Sequence, residues 1–330
     1  MKIAVFSTKA YDKEYFEKHN QYQFDLSFYK VRLTEETVDF AKGYDAICTF
    51  VNDQVNAEVL EKLHSYDIKL VVLRCAGFNN VDLEKAKELD IKVLRVPAYS
   101  PHAVAEHAVA LIMALNRKIH KAYNRVRELN FSLERLTGFD IYGKTVGVVG
   151  TGKIGAIFAK IMKGFGCKIV AFDVHKNEEL LKEGVEYLPL EELLSTSDII
   201  SLHCPLLPST HHLINKNTLK LMKKGAMLIN TSRGALVNAK HAIKALKSRQ
   251  LGSLGIDVYE MEEKLFFRDL SEKIVNDDVI ARLLSFPNVL ITSHQAFFTD
   301  EALTEIAKTT MNNIEDFRSG NELINEVKFS

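Results

Sequence analysis

The sequence carries no excess of charge, no long apolar run and no paired cysteines, and each absence removes a class of function. Forty-three Lys and Arg balance forty-three Asp and Glu, so no long-range field draws the chain to nucleic acid or to an anionic membrane. No apolar stretch reaches the length of about 18 residues that a spanning helix needs, and the apolar start Met1–Phe6 runs straight into a turn instead of extending into a signal-peptide core. A cytoplasmic protein with no membrane or nucleic-acid partner is expected. The cysteines, Cys48, Cys75, Cys167 and Cys204, are widely spaced in or beside apolar strands and form no CxxC pair. They read as reduced packing residues, and no spacing suggests a metal site. Low-complexity segments are missing too. A small molecule is left as the expected partner.

At 330 residues the chain exceeds one comfortable core, and two domains are the natural expectation. Short β-rich runs at 3–7, 24–29, 46–50, 70–73 and 92–96 alternate with helical patterns. Such alternation implies right-handed βαβ units and a parallel sheet with helices on both faces. A long helix is predicted from Pro101 to about Leu129, with the proline in its first turn. A second βα series follows, with strands at 146–149, 168–172, 198–203, 226–231, 253–258 and 289–293 and a closing helix from about Thr299 to Arg318. The expected division is residues 1–100 with 299–330 as one discontinuous domain and 101–298 as the other, with a cleft between them.

Between the first two strands of the second series stands Gly150-Thr151-Gly152-Lys153-Ile154-Gly155. Read as strand, tight turn and helix, it gives each glycine a task. Gly150 makes the turn, Gly152 lets the backbone approach a pyrophosphate, and Gly155 lets the helix lie against its strand. The helix start offers free N–H groups and a positive dipole end to the phosphates. Asp173 ends the next strand, 18 residues beyond Gly155, and an acid there suits an unmodified ribose, favouring NAD over NADP. The cationic His175 and Lys176 that follow pull the other way.

Ligands of an open α/β sheet bind outside the carboxyl ends of its strands. Three polar residues follow apolar runs there: Arg233 after 226–231, Glu262 after 253–258, and His294 after 289–293. Reduction of a 2-keto acid by a nicotinamide asks for a cation to hold the carboxylate and an acid to protonate the oxygen. Arginine matches a carboxylate with a planar fork. Histidine titrates near working pH, and a neighbouring carboxylate fixes its tautomer and favours the imidazolium. Taken singly, each residue reads as surface or packing; together, at one sheet edge, they read as a catalytic set.

These segments resemble the D-isomer-specific 2-hydroxyacid dehydrogenases, over nearly the whole chain. The resemblance rests on Asn230-Thr231-Ser232-Arg233-Gly234, Asp257-Val258-Tyr259-Glu260-Met261-Glu262 and Ser293-His294-Gln295-Ala296. It implies a Rossmann NAD-binding domain, a flavodoxin-like substrate domain, and reversible hydride transfer between NADH and pyruvate giving D-lactate, as in the fermentative members. By the same resemblance Arg233 binds substrate, Glu262 supports the histidine, and His294 is the acid/base. Family spacing selects Glu262 over Glu260. In Arg74-Cys75-Ala76-Gly77-Phe78-Asn79-Asn80-Val81-Asp82 the backbone of Ala76 and Gly77 is implied to meet the substrate carboxylate, and Tyr99 to lie over the substrate, against a packing alternative only slightly weaker. Cofactor contacts are implied for Gly150, Gly152, Lys153, Ile154, Gly155, Asp173, Cys204, Pro205, Thr210, Thr231, Ser232, Arg233 and Asp257. His203, His211 and His212 read as structural or surface residues. The basic stripe Arg117, Lys118, Lys121, Arg125 and Arg127 reads as a solvated or subunit-contact face, and the family implies a homodimer or homotetramer. Two rivals stay open: a dehydrogenase of bulkier D-2-hydroxy acids, and a nucleotide-sensing corepressor on the same scaffold.

Overall fold

The computed structural model describes residues 1–328, and the chain divides into two compact units, 1–100 with 298–330 and 101–297. In the first, strands β1 (Lys2–Val5), β2 (Asp25–Phe28), β3 (Ala46–Thr49), β4 (Leu70–Leu73) and β5 (Lys92–Arg95) form a sheet in the order β2-β1-β3-β4-β5. Every pairing is parallel, which is the flavodoxin-like order. All residues of β3 and β4 are buried; helices cover both faces, so these strands are near-continuous apolar runs rather than alternating ones, with Thr49 the one polar residue. The helix Asp300–Ser319 starts at Thr299, whose hydroxyl accepts the Ala302 N–H, and stops at Gly320 with φ +68°. Its stripe Leu303, Ile306, Ala307, Met311 and Ile314 is buried, the three-and-four spacing of one helix face. Beyond it, Val327 N–H donates to Val93 O at 2.8 Å and Arg95 N–H to Asn325 O at 3.1 Å, so the tail covers the free edge of β5.

The second unit contains β6 (Thr145–Val149), β7 (Lys168–Phe172), β8 (Glu186–Tyr187), β9 (Ile199–Leu202), β10 (Ala226–Asn230), β11 (Leu251–Ile256) and β12 (Val289–Ile291), in the order β12-β11-β10-β9-β6-β7-β8. All pairings are parallel. The order reverses beside β6, where the next strand in sequence lies on one side and β9 on the other. That is the switch point at which a doubly wound sheet opens a crevice. The core lies on both faces, one side centred on Leu194, Leu228 and Leu254 and the other on Ile112, Phe158 and Ile229.

Two features differ from the sequence reading. β8 is an added edge strand of two residues, too short to show a period. The predicted long helix is two: Pro101–Arg117 and Ile119–Arg127, divided by Lys118 in the left-handed conformation at φ +51°. The cause lies in the returning chain. Asn116, buried at the end of the first helix, donates to Phe139 O at 2.7 Å and accepts Phe139 N–H at 2.8 Å. A Cβ on Gly138 would stand 2.6 Å from Asn116 O, so this segment presses on the last turn and turns the helix aside. The second helix buries none of its residues.

Candidate active site

The glycine turn forms where β6 ends. Gly150 has φ +94°, and a Cβ on it would lie 2.5 Å from Cys204 N; one on Gly155 would lie 1.9 Å from Gly150 O. Neither position admits a side chain. Gly152 is the reverse case, with nothing within 4 Å of its Cβ position, and it leads into the helix Lys153–Gly164. An open cavity of about 590 Å³ lies there, lined in part by Gly152, Lys153, Lys160 and Asn177. Helix N–H groups and a lysine beside open space suit a pyrophosphate.

Asp173 stands at the end of β7 and is braced toward the same turn. Its carboxylate accepts Thr151 N–H at 2.5 Å, the Thr151 hydroxyl at 3.1 Å and His175 N–H at 3.1 Å. Burial opposes its ionisation, but these donors prevail and hold its carboxyl below the ordinary value. Further along the sheet edge, Thr231 is buried and its hydroxyl finds no partner among the described residues. An orphaned buried hydroxyl invites a ligand group. Ser232 instead donates to Cys204 O at 2.7 Å, and the Thr210 hydroxyl donates to Pro205 O at 2.7 Å while accepting Leu207 N–H at 2.7 Å. The Cys204 thiol is pushed up to about 11 by burial and is inert at neutral pH.

Two of the three strand-end residues meet in this unit, and the third, Arg233, makes no side-chain hydrogen bond to either of them among the described residues. His294 Nδ1 lies 2.7 Å from Glu262 Oε1, and Glu262 Oε2 accepts Tyr259 N–H at 2.8 Å. The carboxylate is thereby held at both oxygens, and the ring is oriented through Nδ1. Nε2 has no partner among the described residues. His294 itself is left-handed, φ +54°. Arg233 is exposed beyond β10, its Nη1 donating to Ser232 O at 2.9 Å.

Sequence reasoning missed what supports these groups. Asn230, buried, accepts Ser232 N–H at 3.1 Å and donates to Arg233 O at 2.9 Å, which shapes the arginine's turn. At Gly234 a Cβ would stand 2.1 Å from Tyr259 C and 2.4 Å from Glu260 N; the Arg233 turn and the Glu262 turn touch backbone to backbone. A glycine beside a candidate arginine was the available signal. Residues 260–276, which include Glu262, are closed into a loop by Tyr259 OH, 2.9–3.0 Å from the two carboxylate oxygens of Asp277. Asp257 has no exposed surface, and its carboxylate accepts Thr292 OH at 2.5 Å, Gln295 N–H at 2.9 Å and Ala296 N–H at 2.8 Å.

His211, His212 and Glu260 bring three donor atoms within 4.8 Å of one another, yet the proton positions describe a latch. Asn238 Oδ1 accepts His241 N–H, so its amide nitrogen faces His212 Nδ1 at 3.3 Å. Nδ1 therefore accepts, and Nε2–H is directed at Glu260, 2.6 Å away. Four of the five residues of the basic stripe are likewise engaged: Arg125 donates to Glu134 O at 2.7 Å, Arg127 to Tyr123 OH at 3.0 Å, and Lys118 and Lys121 to the carbonyls of Thr137 and Pro287.

In the first unit, Ala76 and Gly77 follow β4. Ala76 O accepts Arg95 Nη1 at 2.8 Å and Gly77 O accepts the Cys75 thiol at 3.3 Å, while the N–H groups of both residues have no acceptor among the described residues. Arg74, 2 % exposed, is paired with Asp12 at 3.2 Å and donates to Ser7 O at 3.0 Å. Tyr99 follows β5 and is half-buried.

Residues 109–296 match the family described as D-isomer specific 2-hydroxyacid dehydrogenase, NAD binding domain. The chain is 54% identical over 328 residues to the D-lactate dehydrogenase of Escherichia coli K12, covering 99% of this chain and 100% of that one. Among solved structures, a pyruvate reductase of Chlamydomonas reinhardtii superposes with TM-score 0.95 at 47% identity, covering 98% of each chain. The NAD complex of a D-isomer specific 2-hydroxyacid dehydrogenase from Lactobacillus delbrueckii superposes with TM-score 0.82 at 32% identity over 99% of this chain and 100% of that one.

Proposed function

The chain belongs to the D-isomer-specific 2-hydroxyacid dehydrogenases and carries their NAD-binding domain, and from that premise we propose that it is a fermentative, cytosolic D-lactate dehydrogenase. The observation that carries the proposal is the His294–Glu262 pair, 2.7 Å apart, with the arginine turn packed against the same loop. NAD supplies a hydride when reduced and accepts one when oxidised. The glycine turn and the start of helix Lys153–Gly164 are suited to hold its pyrophosphate, Asp173 its adenosine ribose, and the unpartnered Thr231 hydroxyl another polar group.

The protein's own residues carry the rest. Arg233 offers a fork to the keto-acid carboxylate, and the N–H groups of Ala76 and Gly77 are assigned to the same carboxylate. Glu262 holds the imidazole through Nδ1, so that Nε2 is the atom that delivers a proton to the keto oxygen in reduction and receives one in oxidation. Tyr99 is assigned the choice of side chain.

A homo-oligomer is part of the proposal. Ile119, Tyr123, Val126, Leu129, Phe131 and Leu133 are each at least half exposed along the second helix and the segment after it. Exposed large apolar side chains concentrated in one segment suit burial by a second copy; sedimentation of a species at monomer mass would remove it. No helix among the described residues is long and apolar enough to cross a membrane. The activity is tested with a panel of 2-keto acids offered with NADH or NADPH, with product chirality determined. Pyruvate giving D-lactate with NADH is the expected result; NADH binding without turnover on any keto acid would refute it.

A further inference from the structure

We propose that His107 is a positioning residue for the acid/base histidine, acting through Thr292 and Asp257 on the turn that carries His294. The inference rests on the reading of His294 as the proton donor. His107 lies in the helix Pro101–Arg117, with Nε2 3.0 Å from Thr292 Oγ1 and 3.5 Å from Asp257 Oδ1. Counting protons fixes the direction of each bond. Thr292 has one hydroxyl hydrogen, and it goes to Asp257 Oδ1 at 2.5 Å. The hydroxyl oxygen therefore accepts from His107, whose Nε2 carries a hydrogen. Burial holds the His107 pKa below the ordinary imidazole value against the opposing pull of Asp257, so the neutral Nε2–H tautomer is the working form.

At the far end of this chain stands the turn itself. Gln295 N–H and Ala296 N–H end on the Asp257 carboxylate at 2.9 and 2.8 Å, and His294 N–H ends on the Asp257 carbonyl at 2.7 Å. Three successive N–H groups are thus anchored on one fully buried residue. His294 sits among them in a left-handed conformation, φ +54°, which a non-glycine residue keeps only where its surroundings enforce it. His107 completes the sequence imidazole N–H, hydroxyl, carboxylate, in which each bond polarises the next. Its polar contacts are to Thr292 and Asp257, and it has none to Arg233, Glu262 or the glycine turn. The expected signature is a lower kcat with substrate and cofactor binding preserved.

The test compares His107→Phe, which removes the donor, with His107→Gln, whose amide nitrogen can stand where Nε2 stood, and with His294→Ala. For each, kcat and KM for the keto acid, NADH affinity by fluorescence and the melting temperature are measured. His107→Phe is expected to lose about tenfold or more in kcat, the order that follows misplacement of a reacting group by a fraction of 1 Å, with NADH affinity unchanged, and His107→Gln to recover to within about threefold. Equal loss in both His107 variants, or none in either, overturns the proposal. Should His107→Phe fail to fold, Thr292→Val removes the middle of the relay at constant shape and is expected to give the same kcat loss; full activity there overturns it equally. Turnover retained by His294→Ala refutes the acid/base reading itself. An inactive His294→Ala beside a fully active His107→Phe refutes the positioning role alone.

Discussion

Replacing Gly234 with alanine tests whether the arginine and the histidine–glutamate pair are held together by direct backbone contact. A Cβ built on Gly234 lies 2.1 Å from the carbonyl carbon of Tyr259 and 2.3 Å from its oxygen, where an ordinary contact begins near 3.4 Å. The two turns must separate by about 1.3 Å, because both sides of the clash are main chain and no side chain can swing away. Overpacking of this kind costs about 1–3 kcal/mol in stability, which a domain of this size tolerates. Catalysis is the more sensitive quantity, since a displacement near 1 Å between binding and reacting groups is worth about 100-fold in rate. The glycine turn at Gly150 lies on another strand and is untouched. Steady-state reduction of pyruvate by Gly234→Ala is therefore expected to fall about 100-fold in kcat/KM while NADH still quenches or shifts fluorescence with near-native affinity. A variant that folds and keeps turnover within about threefold of the parent would show that the turns are not coupled through this contact.

Three further outcomes are expected. Arg233→Lys replaces a two-point fork with a single ammonium, and loss of one charge-assisted hydrogen bond, about 1.5–3 kcal/mol, lowers kcat/KM for the keto acid about 10- to 100-fold with NADH binding intact; unchanged steady-state kinetics would remove its proposed role. Asp173 has a folded pKa below its ordinary 3.8, so its contribution to stability is complete above that value and is withdrawn as pH falls through the lower folded one. Asp173→Asn is expected to erase that part of the acid-unfolding curve and to narrow the NADH-over-NADPH preference, and an unaltered cofactor ratio would count against the ribose assignment. Cys48, Cys75, Cys167 and Cys204 are all buried and reduced, with the Cys48 thiol pushed up to about 12 by burial. A thiol reagent is expected to leave the native protein unlabelled and to label four groups after denaturation; fast labelling of the native state would contradict the packing.

The βα alternation was legible because parallel strands buried on both faces are near-continuous apolar runs, as β4 shows residue by residue and β3 up to its closing Thr49. Gly150 and Gly155 were legible for a similar reason, since each sits where a side chain would strike backbone. The strand-end histidine and glutamate could be named, and the structure brings them within 2.7 Å. What escaped the sequence was set by long-range contacts. The helix break at Lys118 depends on a segment some twenty residues later folding back onto Asn116, and nothing local marks it. His107 sits in the middle of an alanine-rich helical pattern where its type suggests packing, and only the proximity of Thr292 and Asp257 gives it a polar task. For Asp257, which the resemblance assigns to the cofactor, the bonds its carboxylate accepts from Thr292, Gln295 and Ala296 are marked by nothing local.

The latch between Tyr259 and Asp277 bears on how such a protein can be re-engineered. With Tyr259 and Asp277 joined at 2.9–3.0 Å, residues 260–276 form a closed loop that is anchored by the buried Phe266 and carries Ile274, at 89% exposure, on its returning limb. Lengthening a closed loop costs only about 0.6 kcal/mol per doubling. The stretch near Ile274 is accordingly a place to graft a reporter peptide, an affinity tag or a recognition sequence, on the Asp277 side of the closed loop, twelve residues from Glu262.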